Sequence, residues 1–215
     1  MIVETAPRRH PVAMTRPTSD IAFTPAVKAF QTRYGSRTAY ARMEARGGFP
    51  QDLEEDIAAF IAEQRSFFFA TASADGQPYI QHRGGPPGFL QVLGPRTLAF
   101  ADYRGNKQFI SIGNLADNPK VHLFLIDYTQ RARVKIWGRA RVVDDPAAMA
   151  ALGLRVVAPG AVVERAIVID IEAYNENCPQ HIPVRIEAED VARLLAERDA
   201  KIADLEAALR EATRR

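Results

Sequence analysis

The sequence predicts a mainly β domain: about six antiparallel strands, closed as a small barrel or strongly bent sheet, with flanking helices and a separate C-terminal helix. Three observations carry that expectation. Short β-prone runs recur from residue 66 to residue 171, several joined by turn signals such as Asp75-Gly76 and Gly94-Pro95. Fourteen prolines and thirteen glycines in 215 residues argue against a helical bundle. Strand and helix alternate too irregularly for a doubly wound parallel sheet, and neither a Gly-x-Gly-x-x-Gly fingerprint nor a P-loop occurs.

Residues 1–20 read as a flexible arm, proline-rich and without periodicity. A helical leader follows over 21–65. Within it one helix is expected over 24–43, with Pro25 in a tolerated first-turn position and Val27, Phe30 and Tyr34 at helical spacing. Gly47-Gly48 breaks the chain. Asp52 and Glu55 then have capping-box spacing, and Leu53, Ile57, Phe60 and Ile61 share one helical face. The β domain is placed at 66–186. Its strands are expected at 67–71, 78–83, 89–92, 97–101, 121–126, 134–143 and 162–171, the last interrupted by Glu164-Arg165. A short helix is expected from Asn106, carrying Phe109, Ile112 and Leu115 and stopped by Asn118-Pro119; Asp144-Asp145-Pro146 starts another. Residues 187–215 contain neither Gly nor Pro. Glu189–Arg193, Glu197–Lys201 and Glu206–Arg210 stand at i,i+4, and Leu195, Ile202, Leu205 and Leu209 recur at heptad spacing, with Arg198 in one seam position. That pattern fits either a helix packed on its own domain or a short dimer-forming coiled coil.

Composition narrows the function classes. Lys and Arg number 28 against 26 Asp and Glu, with no basic block in the interior, so nucleic acid is not an expected partner. The most apolar stretch, 66–74, is too short to span a bilayer, and prolines 7, 11 and 17 replace the apolar core of a signal peptide. With one cysteine, no intrachain disulfide forms, and a cytoplasmic location is expected.

Three places could carry chemistry. The run Tyr103-Arg104-Gly105-Asn106-Lys107 puts cations and a glycine between a strand end and a helix start, an arrangement suited to phosphate; the alternative is a solvated turn with two surface cations. Gln81-His82-Arg83 runs into Gly84-Gly85, which would let a flat ligand lie against backbone; taken alone, a plain loop with an exposed His82 is the favoured reading. Cys178 and His181 form half of a zinc motif without the other half, and as a nucleophilic pair they are outweighed by an inert cysteine. Trp137 reads as core packing.

Taken in order, 67–79, Arg104-Gly105-Asn106-Lys107-Gln108, 117–121 and 133–140 resemble the FMN-binding split barrel of the pyridoxamine 5′-phosphate oxidase superfamily. The leader around 22–27 and the Asn177-Cys178-Pro179 element are similar to a branch of flavin-nucleotide-binding proteins. The resemblance implies a six-stranded split barrel and a homodimer with FMN at its interface. By position it implies cofactor contacts from Gln81, His82, Arg83, Tyr103, Arg104, Asn106, Lys107 and Arg133. Asn106 stands where the oxidases have an Arg, Lys107 matches their Lys, and Arg133 stands in place of a Gln. The terminal Trp and Arg-x-His element of the oxidases has no counterpart here, so the resemblance does not extend to pyridoxamine 5′-phosphate oxidation. What it implies is a flavin-dependent oxidoreductase acting on a small molecule. A flavin storage or sensing protein and an F420-dependent reductase are the alternatives. Haem would need an axial ligand that no histidine motif supplies.

Overall fold

Seven strands form one antiparallel sheet: β1 (Ser66–Ala72), β2 (Pro78–Gly84), β3 (Leu90–Gly94), β4 (Thr97–Tyr103), β5 (Lys120–Asp127), β6 (Ala132–Val143) and β7 (Val163–Asn177). Their order is β2-β1-β5-β6-β7-β4-β3, with β2 and β3 at the edges. The computed structural model describes residues 16–156, 160–177 and 179–213. Most of the arm expected over 1–20, and Cys178, lie outside the described residues. All seven strand segments marked in the sequence are present, one more than the six of the expected barrel, and the ladder stays open.

The sheet nevertheless rolls up, because its apolar face must be buried. In β1 the alternation Phe67, Phe69, Thr71 turns every second residue inward. β1 is second in the order and β4 sixth, yet Phe67 and Phe69 meet Phe100 edge-on, with ring centroids 5.4 and 5.7 Å apart. Leu98, Leu123, Ile136, Ile167 and Ile169, all fully buried, complete the interior. β7 joins the two halves, pairing with β6 on one side and β4 on the other. A bulge at Trp137/Gly138 bends the β6–β7 pair, and a Cβ at Gly138 would stand 2.5 Å from the Asp170 carbonyl oxygen. β7 runs on to Asn177, past the expected stop at residue 171. Past a register shift at Glu172, Ala173 to Asn177 go on pairing with Trp137 to Arg133 of β6, and buried Ala173 and Tyr174 hold that stretch against the fold.

The helices cover what the roll leaves exposed. The helix expected over 24–43 is two: α1 (Pro25–Arg33), capped by the Thr24 hydroxyl accepting from Val27 N, and α2 (Arg37–Glu44). Gly35, at φ +80°, makes the break. Phe49 carries this leader onto the outer face of the sheet, stacking on Trp137 with centroids 5.5 Å apart. Trp137 is therefore half-buried outside the barrel interior, not part of its core. α3 (Glu55–Glu63) buries Ile57 and Ile61 against β3. Its N-cap is Glu54, without a side-chain bond, and Asp52 pairs with Arg96 in place of the expected capping box. α4 (Ile110–Asp117) packs on β1 and β6; α5 (Pro146–Ala151) is capped by Asp145. α6 (Ala188–Ala212) ends the described chain. No helix among the described residues is long and apolar enough to cross a membrane.

On the outer face His122 meets Trp137 with ring centroids 4.9 Å apart. Burial, and then the charge of Lys135, hold its imidazole below the usual value of 6.5. The unfolded chain binds this proton near 6.5 and the folded chain resists it, so stability is lost as pH falls below 6.5. The carboxylates held low by ion pairs, Asp52 and Glu164, lose their contribution only further down. The melting temperature should therefore drop between about pH 7 and pH 5.5, and His122→Gln should remove most of that drop. An unaltered pH slope in the variant would refute this account.

Candidate functional site

Where the sheet fails to close, charge bridges the gap. Arg83 on edge strand β2 donates from Nη1 to Asp102 Oδ1 on β4 at 2.6 Å, and its guanidinium lies over the Phe100 ring at 5.5 Å. The other Asp102 oxygen accepts from Arg165 Nη1 of β7 at 3.1 Å. Arg165 also donates to Glu164 at 2.9 Å, and Glu164 accepts from Arg104 Nε at 3.0 Å. The Arg104 hydrogen bond holds the Glu164 carboxyl below the usual carboxylate range, helped by Arg165 and Lys107. Asp102 itself is buried, with 6% of its side chain exposed.

This chain of ion pairs floors a cleft between β2, the end of β4, residues 104–109 and the first turn of α4. Gln81, Arg83, Tyr103, Asn106 and Lys107 all line it, so the structure brings five of the eight expected site residues together. Arg104 stands behind them, bonded to the cleft residue Glu164. His82 and Arg133 are not in it. Strand alternation turns His82 to the opposite face of β2, against Phe68 at 5.9 Å. Arg133 lies on β6, opposite Ile126.

The loop differs from the expected helix start. α4 begins at Ile110, and residues 104–109 are irregular, with Lys107 and Phe109 in the left-handed region at φ 61° and 54°. Asn106 Oδ1 accepts from Gln108 N at 3.2 Å, fixing the turn locally. Arg165 over the Phe109 ring, 5.3 Å from its centroid, anchors the far end. Lys107 is exposed and forms no ion pair among the described residues. Three cations (Arg83, Lys107, Arg165) face two carboxylates (Asp102, Glu164) in the cleft wall, which leaves it cationic. Arg83 Nε is buried without an acceptor. Gln81 accepts from Ser111 Oγ at 3.1 Å. The cleft encloses about 70 Å³. That is room for a phosphate group, but not the roughly 300–1,000 Å³ of sites that engulf a drug-sized ligand.

Sequence reasoning missed Tyr79, Asp102, Ser111, Glu164 and Arg165 in this site. The signals were there: Tyr79 shares the Gln81 face at i−2, and Glu164-Arg165 interrupts an apolar strand because those side chains serve the cleft.

The family model for pyridoxamine 5′-phosphate oxidase matches residues 53–178, more than half of the chain. The chain belongs to that family. In this pyridoxamine 5′-phosphate oxidase family member the match takes in α3 and the entire sheet but stops short of α6. No curated protein matches the chain. Among solved structures, HupZ of Group A Streptococcus is 16% identical with a TM-score of 0.45, over 62% of this chain and all of its own. An FMN-binding protein of Syntrophomonas wolfei is 12% identical at TM-score 0.45, over 68% and 97%. A Clostridium acetobutylicum protein related to general stress protein 26 is 16% identical at TM-score 0.41, over 61% and 92%. These likenesses are too slight to bear on ligand or chemistry.

The remaining expected feature, Cys178 with His181, is half visible. His181 is exposed at φ 64°, and Arg131 clips its turn to the β5–β6 hairpin by donating to the Pro179 and Ile182 carbonyls at 3.1 Å each.

Asp102 is the hub of the site, so its removal tests the ion chain. Asp102→Ala leaves the largely buried Arg83 guanidinium without its carboxylate and Arg165 with Glu164 alone. It should cost about 3 kcal/mol in urea unfolding, the low end for orphaned buried charges because both arginines keep some solvent contact. A loss below about 0.5 kcal/mol would show the chain to be ornamental.

Proposed function

We propose that the protein binds FMN with its phosphate in this cleft and acts as a flavin-dependent oxidoreductase on a small molecule. The observation that carries the proposal is the exposed Lys107, without an ion-pair partner among the described residues, in a cationic cleft of a pyridoxamine 5′-phosphate oxidase family member. These residues fit the phosphate end of FMN. Lys107 Nζ would supply the main charged hydrogen bond, with Gln81, Asn106 and backbone N–H groups at the start of α4 beside it. Arg83 and Arg104 are already committed to carboxylates and act mainly by fixing the walls. Bound FMN would supply hydride and electron transfer.

The cleft is too small for the flavin ring, which must lie outside it against another surface. We infer that a second copy supplies that surface. The outer face of the sheet has suitable chemistry: His82, Phe68, Phe124 and Lys135 stand in one row across β2, β1, β5 and β6, with Arg133 two residues from Lys135. His82 and Arg133, which miss their own chain's cleft, would then reach a cofactor held by the partner. Burial and the neighbouring Arg133 lower the Lys135 pKa, as expected of cations short of an acidic partner.

The test is the visible spectrum of the purified protein, with identification of whatever heat releases. A yellow protein releasing FMN is expected. Lys107→Ala should weaken FMN binding about tenfold or more, the worth of one charged hydrogen bond, with unfolding unchanged. Arg83→Ala is the poorer probe, since it also breaks the ion chain. Undiminished FMN affinity in Lys107→Ala would overturn the phosphate assignment. A bound flavin that neither NADH nor NADPH reduces would favour storage or sensing over turnover.

A further inference from the structure

The C-terminal helix has an apolar stripe that none of the described residues buries. Every residue from Val191 to Thr213 is exposed. The helix is tied to the barrel at its first turn, where Glu189 pairs with Arg65. Isolated helices are marginal in water, so 25 residues, roughly 37 Å, of projecting helix call for a partner. The stripe has the two-residue seam of a coiled coil. Leu195, Ile202 and Leu209 occupy a positions, and Val191, Arg198 and Leu205 occupy d. Ile202, Leu205 and Leu209 are 45%, 58% and 65% exposed.

Charge selects the partner and its direction. On the side away from the seam, Arg193 already pairs with Asp190 and Glu197. Beside the seam, Lys201 occupies a g position, and Asp199 and Glu206 occupy e positions. Neither Lys201 nor Glu206 has an ion-pair partner among the described residues. In a parallel pair a g residue faces the partner's e residue five positions on, which sets Lys201 against Glu206 twice by symmetry. An antiparallel pair would set lysine against lysine and acid against acid. Asp199 holds the Arg198 guanidinium at 3.1 Å, drawing this polar seam residue aside.

We propose that α6 forms a parallel, in-register, two-stranded coiled coil with α6 of a second copy, oriented by Lys201 and the partner's Glu206. This pairing stands independently of the flavin reading.

Disulfide trapping in the full chain tests it. In a Cys178→Ser background, Leu195→Cys and Leu209→Cys are introduced singly at opposite ends of the seam, with Ala200→Cys on the outer face as control. An in-register parallel pair puts like positions together, so both seam variants should cross-link to dimers on mild oxidation and the control should not. Adding Lys201→Glu should slow cross-linking through Leu209→Cys about threefold or more, and Glu206→Lys should restore it. Cross-linking at only one end, at neither end, or equally in the control would overturn the proposal. A dimer held by the barrels alone, a helix folded on its own domain and an antiparallel pair all fall among those outcomes. FMN loss in the Lys107→Ala variant leaves the cross-linking unaffected, so the two readings fail separately.

Discussion

Asp102 is the residue on which the rest of the arrangement depends. A seven-stranded sheet that rolls without closing leaves a gap between its edge strand β2 and strand β4. Backbone hydrogen bonds cannot span that gap, because no ladder exists there. A buried carboxylate between two guanidiniums does, joining β2, β4 and β7 at one point. The ion pairs gain from low local dielectric only because Phe100 and its neighbours keep water from one side. Bridging the open side of the sheet and forming the cleft are thus one event: the residues that seal the interior are the floor on which a ligand would rest.

Strand segments were legible in the sequence because their periodicity reports burial directly. Phe67 and Phe69 alternate, and the turns at Gly76 and Gly94 announce themselves. The misreadings came where tertiary contacts outbid a local signal. Asp52 could cap α3, but Arg96 offers it a full charge, and the helix begins two residues later without it. The helix expected over 24–43 breaks at Gly35, where the leader must turn to bring α2 beside α1 and let Lys28 reach both Asp20 and Glu44. Trp137 reads as core from its place in a strand segment. Its phase along β6 puts it outside, under Phe49.

The site was legible in part for a related reason. Lys107, Asn106 and Gln81 lie on short segments whose charge and glycine content stand out from their neighbours. Asp102, Ser111 and Arg165 matter only through what they meet across the fold, and sequence proximity does not report such meetings. The side on which His82 falls was fixed by strand parity from Gln81 and Arg83, so three adjacent residues could not all face one cleft.

The strand order also dictates a sequence of events during folding. Hairpin β3–β4 is attached to the rest of the sheet only through β7, so Leu98 waits for Ile169 before it has a partner on its second side. Closing so long a loop is entropically costly and is rewarded only at the end. On a ribosome, the helical leader, β1, β2, β5 and β6 can all emerge and pair before β7 exists. The same late strand brings Glu164 and Arg165 to the cleft. Assembly of the cleft end is thereby deferred until the sheet is otherwise complete, and a chain stalled before β7 would expose the apolar side of an orphaned hairpin to chaperones and proteases.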